Sequence, residues 1–171
     1  MKIEPLRQSN AEEIANNWHY EGIYSFYDMQ ADPEDYEEIL SPEARGNHYY
    51  QILKNDELYG FFCLFSVGKD KQELGLGMKP EYCGKGQGEE FLQTILQFIE
   101  ENISVKSLTL SVADFNQRAQ KLYLHCGFNV IGRQPQESNG DSYLFVKMEK
   151  ELKWSCGYPR NHSKKYEFAA I

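Results

Sequence analysis

Residues 72–101 constrain the fold more than any other stretch of the chain. Gln72 to Lys79 sets Leu74, Leu76 and Met78 against Glu73, Gly75 and Gly77, the two-residue period of a strand. Gly75 and Gly77 leave one side of it bare, which predicts a bulge or the close approach of another backbone or a ligand. Then comes Cys83-Gly84-Lys85-Gly86-Gln87-Gly88, with a glycine at every second position. From there to about Glu101, Phe91, Leu92, Ile95, Leu96, Phe98 and Ile99 recur at helical spacing. Strand, glycine loop and amphipathic helix in that order require a helix laid on a sheet.

The flanking sequence extends this pattern. Ile3 to Leu6 reads as a strand, followed by a helix to about Trp18 that Ser9 or Asn10 can cap. Tyr20 to Asp32 is aromatic and acidic without a clear period. Pro33 opens a helix to Leu40, with Asp32 as its cap. His48–Leu53 and Leu58–Val67 form a hairpin around Asn55-Asp56, and Gly68 to Lys71 turns into the strand described above. Lys106 to Val112 is a strand. Asn116 caps a helix that Gly127 ends, and Phe128–Arg133 pairs through an Asn139-Gly140 turn with Ser142–Met148. The order β-α-α-β-β-β-α-β-α-β-β predicts a single α/β (α+β) domain over residues 1–152, with a mixed, mostly antiparallel sheet flanked by helices. Residues 153–171, with a basic cluster at Arg160, Lys164 and Lys165, form a tail that can pack on the domain, swap to a second subunit or be disordered.

Composition narrows the function classes. Residues 1–60 carry 13 acidic and 4 basic residues out of a chain total of 26 acidic and 18 basic, so the whole net charge of -8 arises there and the remainder is close to neutral. Such a surface repels nucleic-acid phosphates and attracts cations, although it equally serves solubility. No apolar run is long enough for a membrane span, and the first residues lack a signal-peptide core, so the expected location is cytoplasmic. Cys63, Cys83, Cys126 and Cys156 form no C-x-x-C pair, and the four histidines have no ligand spacing, so no metal is expected.

The glycine loop has a chemistry of its own. Its glycines permit positive φ or close backbone approach, the following helix offers free N–H groups, and Lys85 adds charge, which together make an anion cradle. A Walker A loop is excluded because Gly86 follows Lys85, and the dinucleotide fingerprint fails at Glu89. On this stretch alone, a glycine turn without a ligand stays open.

Two stretches carry a resemblance. Met78 to Gly88, a strand end and proline leading into Cys83-Gly84-Lys85-Gly86-Gln87-Gly88, resembles motif A of the GNAT acetyltransferase superfamily, [QR]-x-x-G-x-[GA], with Cys83 standing where Gln or Arg is usual. Asn116 to Phe128 resembles its motif B, N-x-x-A-x-x-L-Y-x-x-x-G-F. The resemblance spans about Leu74 to Met148 and implies an N-acetyltransferase that moves an acetyl group from acetyl-CoA to a primary amine. It implies that the backbone at Leu76 and Met78 meets the pantetheine amides and that the amides of Cys83, Gly84, Lys85, Gly86, Gln87 and Gly88 hold the pyrophosphate. Asn116 would contact the pantetheine region, and Tyr123 would be the general acid. A phenol suits protonation of a thiolate leaving group, although an apolar helix face also accommodates a core tyrosine.

The acceptor side is less defined. Glu73 is the candidate base, against a simpler role as a strand-end charge. Some peptide-acetylating relatives have a glutamate five residues before the motif-B asparagine. Here Ser111 stands at that position, so no such role is expected of it. Tyr24, Phe26, Tyr27 and Asp28 can form a cation-binding wall or simply close one end of the sheet. The implied acceptor is a cationic amine on a small molecule or a peptide, and a homodimer is compatible with the superfamily. A non-catalytic acyl-CoA-binding or regulatory module on the same fold is the competing reading.

Overall fold

A computed structural model describes residues 1–152; the tail from Trp154 with Arg160, Lys164 and Lys165 lies outside the described residues. Seven strands form one sheet in the order β1-β2-β3-β4-β5-β7-β6. They are β1 Lys2–Pro5, β2 Tyr49–Lys54, β3 Glu57–Gly68, β4 Lys71–Met78, β5 Ser107–Ala113, β6 Asn129–Ser138 and β7 Asp141–Glu151. The helices are α1 Gln8–Asn17, α2 Pro33–Leu40, α3 Pro42–Arg45, α4 Gly88–Asn102 and α5 Gln117–His125. Apart from the four-residue α3 and short 3-10 segments, this is the order expected from the sequence.

The central strand β3 is buried almost continuously from Leu58 to Leu64 because helices cover both faces of the sheet. Phe62 and Leu64 pack with Phe91, Leu92, Ile95 and Ile99 of α4, whereas Phe61 and Cys63 pack in a second cluster with Ile14 of α1, Trp18 just after it and Ile39 of α2. The β2–β3 and β6–β7 hairpins both turn through two left-handed residues, Asn55-Asp56 and Asn139-Gly140, whose twist matches that of paired strands.

Three local expectations are corrected. Neither Ser9 nor Asn10 caps α1: the helix starts at Gln8, with Arg7 as its N-cap and no side-chain cap. The buried Gln51 draws Asn10 away, because its Oε1 accepts from Asn10 Nδ2 at 2.8 Å and from the Arg7 N–H at 3.0 Å. The last hairpin is longer than its apolar pattern suggests, since β6 continues to Ser138 through Pro135. That strand is the sheet edge, where a proline breaks no shared ladder on its open side. The glycine side of β4 is not bare either. A Cβ on Gly75 would come within 2.6 Å of Cys63 Sγ and one on Gly77 within 2.4 Å of the Phe61 ring, so β3 side chains lie over it.

One irregularity positions the site. Strands β4 and β5 pair in parallel only over Lys71–Glu73 with Ser107–Thr109. Beyond that, β4 stays with β3 and β5 stays with β7, so the sheet forks.

Candidate active site

The fork opens a cleft of about 640 Å³. Lys79 N–H bonds the Tyr59 carbonyl on the β3 side, so by strand alternation the backbone groups of Met78 and Leu76 face the edge that β5 has left. The Met78 carbonyl is held there by the Tyr20 hydroxyl at 3.0 Å. Both Leu76 and Met78 line the cleft, as do Tyr123, Glu73, Cys83, Asn116, Tyr24, Phe26, Tyr27 and Asp28. Gly84 to Gly88 lead from Cys83 into α4, and none of these five residues lines the cleft.

Each glycine of the loop meets a different need. Gly84 and Gly86 have φ of +73° and +75°, values that side chains avoid. At Gly88 a Cβ would come within 2.9 Å of Leu122 Cδ2, so this glycine lets α4 start against α5. The Gln87 side chain accepts from the Tyr59 hydroxyl at 2.7 Å and ties the loop to β3. The Cys83 thiol turns inward to the Met78 and Lys79 carbonyls at 3.5 and 3.7 Å. Burial raises its pKa, and the nearby Arg118 works against that shift.

On α5, Asn116 caps the helix through the Ala119 N–H at 3.1 Å and donates its Nδ2 to the Tyr27 hydroxyl, also at 3.1 Å. Two turns on, Tyr123 is half-buried against Phe128, with ring centroids 6.0 Å apart. Burial, with a smaller contribution from Tyr27, raises the Tyr123 phenol well above its usual range, so it stays protonated at neutral pH.

At the apex of the fork, Ser111 Oγ donates to Glu73 Oε1 at 3.1 Å. The carboxylate of Glu73 on β4 thus stands beside the β5 position expected to have no such role, and Ser111 holds it there.

The aromatic segment folds into two 3-10 turns, Gly22–Tyr27 and Met29–Ala31, across the cleft. Phe26 packs edge-on to Tyr27, Phe115 and Tyr143. Its carbonyl accepts from Asn139 Nδ2 at the tip of the long hairpin, which explains why β6 and β7 extend so far. Tyr24 lies under the Arg118 guanidinium at 4.5 Å. Asp28 is engaged internally, accepting from the Tyr20 N–H at 2.8 Å and meeting His19 Nδ1 at 3.0 Å. These contacts fix its orientation within the segment.

A second acidic group lies where residue-by-residue reading did not look. Asp32, Asp35 and Glu38 of the α2 region line the same cleft. Asp32 caps α2, and Glu38 accepts from the Tyr49 hydroxyl at 2.6 Å. Asp35 is pushed up to about 6, first by lost solvation and then by Asp32, Glu38 and Glu34. Their spacing of three residues was a signal in the sequence, masked because acidic helix faces are ordinary. Among the described residues no His/Cys/Asp/Glu cluster could hold a metal ion, and no helix is long and apolar enough to cross a membrane.

Comparison with known proteins supplies the family and the activity. The acetyltransferase (GNAT) family profile matches residues 12–128, and the chain belongs to that family. It is an acyl-CoA-dependent N-acetyltransferase with acetyl-CoA as donor and an amine as acceptor. It is 28% identical over 144 residues to a Bacillus subtilis (strain 168) protein provisionally named a ribosomal protein bS18 alanine N-acetyltransferase, covering 82% of this chain and 92% of that one. It is 25% identical over 138 residues to the acetyltransferase PseH of Campylobacter jejuni, covering 76% of this chain and 85% of that one. Among solved structures, Vibrio cholerae spermidine N-acetyltransferase SpeG in complex with CoA and spermine shares the fold, with a TM-score of 0.67, 18% identity and coverage of 88% and 95%.

Proposed function

We propose that this acetyltransferase acts on a small, multiply charged amine of the polyamine type, held by its cationic tail against Asp32, Asp35 and Glu38. The observation that carries this reading is that the three carboxylates line the same cleft as Tyr123 and the open edge of β4. Two of them take hydrogen bonds from neutral donors, and the neighbours that perturb Asp35 are all acids. An ammonium entering this wall meets charge that the protein has not itself neutralised.

Glu73, steadied by Ser111, takes the proton that an alkyl ammonium must lose before it can attack; at pH 7 only about one such amine in a few thousand is already neutral. The N–H groups on the open edge of β4, near Met78, polarise the thioester carbonyl, and Leu76 and Met78 align the pantetheine arm. The amides of Cys83 to Gly88 hold the pyrophosphate. Asn116 fixes the start of α5 and Tyr27 together. Tyr123 gives its proton to the departing thiolate as the C–S bond breaks. Tyr24 and Phe26 form the aromatic side of the acceptor space.

The test is the isosteric triple variant Asp32→Asn, Asp35→Asn, Glu38→Gln, which keeps the cap and the Tyr49 contact. KM for spermidine should rise by about tenfold or more while kcat stays within a few-fold, as expected when ground-state charge attraction is removed. An unchanged KM refutes the acidic wall. A peptide with an N-terminal alanine, the amine named for the Bacillus subtilis relative, that outperforms spermidine also refutes it.

A further inference from the structure

The Arg118 side chain is not accounted for by any of the roles above. It projects from the first turn of α5, where a positive charge opposes the helix dipole and where the turn itself carries no acidic residue. Its Nη1 lies 3.3 Å from where a Cβ on Gly84 would be, so the guanidinium faces the backbone of the left-handed glycine loop. The ring of Tyr24 supports its other side at 4.5 Å. It lines the cleft and is exposed.

Lys85 stands in the loop itself and is exposed, and the acidic side chains that follow it have partners of their own. Glu89 and Glu90, in the first turn of α4, meet His125 at 3.2 Å and Lys54 at 3.5 Å. Cys83 turns its thiol inward and offers nothing outward. A guanidinium held by an aromatic face beside the glycine loop is a two-pronged donor, the geometry that matches phosphate oxygens.

We infer that Arg118 binds the diphosphate of the acyl donor, completing the glycine loop with a cation supplied from α5. This rests on the reading of the loop as the pyrophosphate site and adds a planar, forked donor to the point charge that Lys85 supplies within the loop. The same guanidinium rests on Tyr24, so the diphosphate site and the acceptor-side segment share one residue.

The experiment measures dissociation constants for CoA, dephospho-CoA and pantetheine with the wild type, Arg118→Ala and Arg118→Lys. CoA binding by the wild type tests the loop reading itself; the difference between variants tests Arg118. Arg118→Ala should weaken CoA and dephospho-CoA equally, by about tenfold to a hundredfold, the range of one charge-assisted hydrogen bond. Pantetheine, which lacks the diphosphate, should bind all three proteins alike. Arg118→Lys should recover part of the loss, since it keeps the charge without the fork. Thermal unfolding of the ligand-free variants should match the wild type, because the side chain is exposed. An unchanged affinity for CoA overturns the assignment. A loss with CoA that disappears with dephospho-CoA also overturns it, because the contact would then be to the 3′-phosphate.

Discussion

Replacing Tyr123 with Phe removes one oxygen and leaves the packing intact. The ring lies against Phe128 at 6.0 Å and belongs to the half-buried margin of the main core, so the variant should fold with little change in stability. Burial holds the wild-type phenol protonated throughout the neutral range, so essentially every molecule carries the acid. Removing a general acid typically costs about 10²–10⁴ in rate. A thiolate whose conjugate acid has a pKa of about 8.5 can leave without full protonation, so the loss belongs near the lower end, about 10²-fold or roughly 2.7 kcal/mol in barrier height. The assay is steady-state thiol release from acetyl-CoA at saturating acceptor, with acetyl-CoA affinity measured separately by calorimetry. The expected result is a hundredfold drop in kcat with unchanged donor affinity. A kcat within threefold of wild type would remove Tyr123 from the chemistry, and lost donor affinity would make it a binding residue instead.

Two further outcomes follow from the carboxylates. Glu73→Gln should lower kcat much more at pH 7 than at pH 10, where about a quarter of the amine is already neutral; an equal loss at both pH values would argue against proton removal by Glu73. Asp35 has a folded pKa raised to about 6, so between about pH 4 and 6 the native state binds more protons than the unfolded chain, and the Asp35 contribution to stability falls as pH rises through that window. Acceptor affinity should rise over the same window as the carboxylate ionises, while Asp35→Asn flattens both trends and stabilises the protein at pH 7 by less than about 1 kcal/mol, because solvent screens this rim position. Denaturant midpoints and KM against pH read the two effects.

The second half of the chain was legible because its signals are local. Alternation in β4, the glycines of the loop, the apolar stripe of α4 and the Asn116 and Gly127 caps each act within a few residues, and all stand where expected. The acceptor side was less legible because its determinants are tertiary. The segment Tyr20 to Asp32 has no period because it folds into 3-10 turns, held by Asn116, Arg118 and Asn139 from distant parts of the chain. Asp28 is oriented by His19 and the Tyr20 N–H, contacts that no local sequence pattern announces. Arg118 occupies an unspecified position of motif B, so only its nearness to Gly84 singles it out. Ser111 looked like a missing carboxylate, yet the fork brings Glu73 to it from the neighbouring strand.

The most direct measurement is acetyl transfer itself: purified protein with acetyl-CoA and a panel of amines, reading thiol release and the mass of the product. Spermidine or spermine should gain one acetyl group, and a neutral arylamine should gain none at the same concentration. Efficient acetylation of the neutral amine, with no product from any cationic one, would contradict the account of an acidic, amine-reading cleft.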